Sequence, residues 1–314
     1  MKQTQFEAAH AELWSEIGAI LGPDQPNAHA LPGLYRRLCQ CLALADQRAY
    51  SPALTDHLQK MVADCHRRLY GAVAARPNNV VTMLRFDFPR RVRAEWRLLL
   101  FASLAFWGVG LATGLLVWLE PHWAYSFMSS RELDDVRRMY AAADFNDGRG
   151  GEGDVLMFGH YIWNNVSIGF RTFAGGIFGA LPALLSLGFN GMHIGVVGAW
   201  LGKDPQTSQN FWSFVITHAS FEVTGLVLSG MAGIRLGLTV IKPGRRSRGH
   251  ALALASKDMF PVIAGAAMLT VLAAFVEAFW SASAVVPPGV KFGVGGLCWL
   301  AVIAFFAFAG RARN

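Results

Sequence analysis

The chain has 314 residues, 53% hydrophobic and only 16% charged, with a mean hydropathy of +0.33. Charge well below the roughly 25% of soluble proteins, with repeated apolar runs longer than about 18 residues, excludes a soluble globular protein and indicates an integral membrane protein. The net charge of +7 does not point to nucleic acid, because the basic residues cluster beside apolar runs and lack the aromatic interleaving of an RNA platform.

Residues 1–84 read as a cytoplasmic helical domain. The first thirty residues are polar and helix-like, without a compact apolar stretch or a small-residue cleavage site, so no signal peptide is expected. Three stretches up to residue 79 carry apolar residues at helical spacing, and Pro32 and Pro52 stand where helices start. Such a bundle is either a packed support under the membrane or a docking surface for a partner. Cys39, Cys41, Cys65 and His66 do not have the spacing of a zinc knuckle, so buried thiols are expected there, and Cys298 lies inside an apolar run.

Residues 85–97 hold five arginines beside Phe86, Phe88 and Trp96. This basic interfacial segment predicts anionic headgroups at Arg90, Arg91, Arg93 and Arg97, and a cytoplasmic N-terminus. The remainder, 98–314, reads as a transmembrane domain. A first span over 98–119 leads to an outer loop, 120–158, with eight acids and four arginines and an expected surface helix, RELDDVRRMYAAA. Its glycine-rich piece DFNDGRGGEGD resembles a calcium loop but has Gly148 at a ligand position, so a solvated turn is expected. Further spans are expected at 160–187, 189–202, 212–241, 260–284 and 291–309. The third is short: its residues rise only about 20 Å, which predicts a re-entrant piece beginning at a Gly188–Gly191 break. Six crossings place the basic segments 85–97, 242–250 and the C-terminus on one side and the acidic loop on the other.

The run 212–241 is apolar yet carries His218 and Glu222, four apart and so on one helical face. Counted from the outer end of each span, His218 lies about 9 Å deep, Glu222 about 15 Å, Arg171 about 14 Å, Glu277 about 10 Å and His193 about 13 Å. These five, with Asn164, Asn165 and Asn190, are expected to form an intramembrane polar cluster in which Arg171 is the counter-ion of Glu222 or Glu277. Gly175, Gly179, Ser229, Gly233 and Gly237 are expected at close helix contacts, within one subunit or across a homodimer. Arg235 is expected to snorkel to the inner face. Without an H-E-x-x-H pattern no metal site is expected, the residues able to ligate being His193, His218 and Glu222. No nucleophile elbow, aspartate pair or phosphate loop is present, so no catalytic residue or cofactor is assigned.

Taken in order, several short motifs resemble the stage II sporulation protein M family. They are Leu34-Tyr35-Arg36, Asn164-Asn165, Phe173-Ala174-Gly175-Gly176-Ile177, Asn190-Gly191 with Gly195, and His218-x-x-x-Glu222 with Gly230, Gly233 and Gly237. Lys242-Pro243-Gly244 and Glu277 complete the series. Ala219 departs from the glycine that usually follows the histidine. The resemblance implies a bacterial inner-membrane protein of the cell envelope, similar to a scaffold that holds remodelling enzymes together, with no established catalytic activity. The expected fold is therefore an all-α polytopic transmembrane bundle. Its expected role is a membrane-embedded scaffold with protein partners in the envelope, and a transporter or flippase-like permease using the polar cluster is the alternative. A metal-dependent membrane enzyme is a third reading.

Overall fold

The computed structural model describes residues 2–22, 28–70, 79–141 and 151–311, and the chain divides into two compact units, 1–79 and 80–314. The calcium-like piece at 144–154 falls mostly outside the described residues. Among the described residues there is no strand.

The first unit is three helices, α1 (Gln3–Leu21), α2 (Leu31–Gln47) and α3 (Pro52–Tyr70). Each turns one apolar stripe inward, and Phe6, Ile17, Leu38 and Leu58 are fully enclosed. Such enclosure contributes about 1.5–3 kcal/mol per large side chain. Proline near the starts of α2 and α3 fits because the first helical amides have no partner within the helix. Cys41 and Cys65 are buried in this core.

The second unit begins with a π-helical turn, Met83–Asp87, and a short helix α4, Phe88–Ala94. Then come α5 (Trp96–Leu119), α6 (Ser130–Tyr140), α7 (Gly151–Gly175), α8 (Ala180–Lys203), α9 (Ser208–Ile241), α10 (Arg248–Ser281) and α11 (Pro288–Phe308). Five of these, α5, α8, α9, α10 and α11, are long and apolar enough to cross a membrane. The sixth long helix, α7, is more polar but runs the height of the bundle. Phe158 near its start packs on Phe275 and Phe279 near the end of α10, and Gly176 just past its end lies against Gly233 of α9.

One expectation is corrected here. The third span is not short: α8 is 24 residues and runs unbroken through 188–191. Gly188 and Gly191 lie against α5, where the Phe106 carbonyl leaves no room for a Cβ at 191, and Asn190 Nδ2 donates to Ser186 O at 2.8 Å within the helix. The chain turns instead at 176–179, where Gly179 has φ +112°, a conformation that suits only glycine. The surface helix expected within 120–158 is present as α6. In α6 a capping box joins Ser129 and Glu132, and Arg137 pairs with Asp204 at the end of α8 (2.7 Å).

The post of the bundle is α9, which packs against α5, α7, α8, α10 and α11. Its small residues let each neighbour approach. A Cβ at Gly225 would lie 2.7 Å from Thr270 Oγ1, and one at Gly233 2.7 Å from Thr172 O. At the basic end, Phe88 fills the space over Gly265 and packs edge-on against Phe306.

Candidate functional site

The helical spacing of His218 and Glu222 puts them on one side of α9, and the end of α10 supplies the rest. There the helix widens into a π-helical turn, Glu277–Ser281, of the kind often found at functional sites. That turn presents Glu277 and Ser281 to His218. The ligand atoms of His218, Glu222 and Glu277 all lie within 4.8 Å of one another. His218 Nε2 is 3.8 Å from Glu222 Oε2, too long for a hydrogen bond.

The other side of the imidazole is firmly held. Thr217 Oγ1 donates to Phe214 O (3.5 Å) and stands 2.6 Å from Ser281 Oγ, which stands 3.0 Å from His218 Nδ1. The Ser281 hydroxyl thus bridges Thr217 and the His218 imidazole. The other imidazole nitrogen, Nε2, is turned towards Glu222. Lys291 of α11, 3% exposed, donates from Nζ to the Ser281 carbonyl at 2.8 Å. Ser281 thus joins α9, α10 and α11. Beside Glu222 lies a cavity of ≈ 30 Å³ lined by Asn165, Asn190, Thr270 and Leu226, room for about one water molecule.

The expected polar layer is therefore only partly assembled. His218, Glu222 and Glu277 come together, and Asn165 and Asn190 border the cavity at Glu222. Asn164 is exposed and donates to the Asn165 side chain (2.9 Å). Arg171 is not the counter-ion: it is exposed, its Nε donates to Ser167 O (3.2 Å), and it makes no ion pair among the described residues. His193 is exposed on α8, and the charge it faces is Glu132, so it does not join His218 and Glu222 in a ligand group. The Glu132 carboxyl is held below its ordinary range chiefly by the Ser129 hydroxyl and amide. Arg235 pairs with Glu95 (3.3 Å). Gly175 lies against Pro182, Ser229 against Gly169, and Gly237 against the 179–180 turn, all within one chain. Sequence reasoning missed Thr217, Ser281 and Lys291. The signal for Lys291 was a lone lysine three residues inside an apolar helix.

Residues 98–282, from α5 through the Ser281 turn, match the family model described as Stage II sporulation protein M. The chain belongs to that family. Residues 4–71, essentially α1–α3, match a separate model described as a domain of unknown function, DUF8413. No curated protein and no solved structure matches the chain. The Stage II sporulation protein M match contains His218, Glu222, Glu277 and Ser281 and ends before α11, so Lys291 lies outside it.

Proposed function

We propose that this protein is a multi-pass scaffold of the bacterial inner membrane, acting in cell-envelope processes. Its N- and C-termini lie in the cytoplasm, and the helical unit and the acidic 120–158 segment offer surfaces to protein partners. The observation that carries this reading is the enclosure of the polar cluster. His218 is 4% exposed, Glu277 8% and Ser281 0%, and the Ser281 hydroxyl on α10 bonds to Thr217 and His218 on α9. Polar groups arranged in this way fix how helices register against each other. Two features support a docking role: α1–α3 form a compact unit with a core of its own, and that unit matches its own family model. Anionic headgroups are proposed for Arg90 and Arg97, the latter set over the Trp96 ring (5.5 Å). Arg91 is engaged by Asp258 (2.7 Å) and Arg93 by the carbonyls of Phe306 and Ala309 (2.7 Å each).

One observation favours the transport reading: the Glu222 side chain is 34% exposed and borders the cavity with Asn165 and Asn190. The two readings part on Glu222→Gln. For a scaffold, complexes cross-linked in whole membranes survive the substitution, and the purified full chain moves no ion in proteoliposomes. A proton or cation flux carried by the purified chain alone and abolished by Glu222→Gln overturns the scaffold.

A further inference from the structure

We propose that His218, Glu222 and Glu277 bind one first-row divalent cation, of which Zn²⁺ is the best fit, and so join α9 to α10 inside the bundle. This inference stands independently of the scaffold reading, since a structural ion serves a scaffold and a transporter alike.

Three observations carry it. The first is convergence: one imidazole nitrogen and two carboxylate oxygens, from two helices, lie within 4.8 Å of each other. Ligands of a tetrahedral zinc ion, bonded at 2.0–2.2 Å, stand about 3.4 Å apart, so the 3.8 Å between His218 and Glu222 needs only a small closure. The second is the imidazole's orientation. His218, 5% exposed at its side chain, has Nδ1 3.0 Å from Ser281 Oγ, and its Nε2 is turned towards Glu222 Oε2 at 3.8 Å. A metal-bound histidine is typically positioned through its second nitrogen in this way. The third is the cavity beside Glu222, with room for about one water, lined by Asn165, Asn190 and Thr270 and not by His218 or Glu277. Three protein ligands and an open fourth position are the arrangement zinc takes outside closed structural sites. The donor set also selects among metals. An imidazole with two carboxylates suits Zn²⁺ or Mn²⁺ and disfavours Mg²⁺ and Ca²⁺, which take all-oxygen sets. The sequence pattern conceals the site because its third ligand comes from a π-helical turn 55 residues beyond Glu222 (277 − 222).

The test uses the full chain purified in detergent. It is stripped with chelator, dialysed into metal-free buffer and reloaded with Zn²⁺, or with Mn²⁺ in a parallel sample. Metal is read by elemental analysis, and stability by thermal unfolding with and without the ion. Expected are one ion per folded chain and a rise in unfolding temperature on loading. His218→Gln and Glu277→Gln should each abolish both. Glu132→Gln, on the surface of α6, should change neither and so controls for adventitious surface binding. Where a ligand variant does not fold, Ser281→Ala takes its place: it keeps all three ligands, removes the Nδ1 partner, and should weaken binding about 10- to 100-fold. The proposal is overturned if the folded wild-type chain takes up no stoichiometric Zn²⁺ or Mn²⁺. It is equally overturned if binding persists unchanged in folded His218→Gln, Glu277→Gln or Ser281→Ala, the outcome expected when Glu222 and Glu277 share a proton instead of a metal.

Discussion

Burial pushes the thiols of Cys41 and Cys65 above their ordinary value of 9.0. A thiol whose folded-state value is raised keeps its proton more tightly when folded. The stability it contributes is therefore complete below the unfolded value and is lost as pH rises past it. The helical unit should accordingly weaken as pH rises past the ordinary thiol value of about 8.5, and Cys41 and Cys65 should alkylate far more slowly than in denatured protein. Mass-spectrometric labelling against pH reads both effects, and native rates equal to denatured rates would contradict the buried geometry. At the membrane cluster, the same single-residue scale separates what the sequence revealed from what it hid. His218 and Glu222 were legible because four residues on one helix fix their neighbourhood. Glu277 was found by depth alone, and depth fixes height without fixing the direction a side chain takes around its helix. Arg171 and His193 share that height and turn elsewhere. Ser281 and Thr217 carried no signal, since hydroxyls are ordinary in membrane helices and only their partners distinguish them.

At the scale of elements, long apolar periodicity located the helices well, while glycine misled about where they end. The Gly188–Gly191 stretch looks like a break but is a contact face for α5, with Asn190 bonded back into its own helix. The true turn at 176–179 was read as packing. Both roles need glycine, and a sequence does not say which one applies. The structure makes the difference testable. A Cβ at Gly176 would collide with the Gly233 backbone, whereas at Gly159, in the same helix neighbourhood, it would meet nothing within 4 Å. Gly176→Ala should destabilise the bundle by about 1–3 kcal/mol, which lowers the unfolding temperature by about 2–4 °C per kcal/mol. Gly159→Ala should be neutral or mildly stabilising, because alanine favours helix. Fluorescence-detected thermal unfolding in detergent compares them, and equal behaviour of the two would refute the close approach at the turn.

At the scale of the whole molecule, the six long helices and the charge distribution support one orientation. On the proposed topology, the expectation is that the basic 242–250 connection faces the cytoplasm and α6 the opposite side. In cells, Gly249→Cys should resist a membrane-impermeant maleimide until lysis, whereas Arg131→Cys should react at once; both positions are exposed. The reverse pattern would invert the topology. One contact at the basic end bears on synthesis. Arg93 holds the carbonyls that close α11, and its bond to Phe306 spans 213 residues of chain. At a ribosomal pace of about 5–20 residues per second, the first helix of the bundle waits some 10–40 s for the last. Phe88 and Arg91 meet α10 first, at Gly265 and Asp258, but Arg93 stays without these carbonyls until the last helix is made, so the moment of completion is set by its arrival.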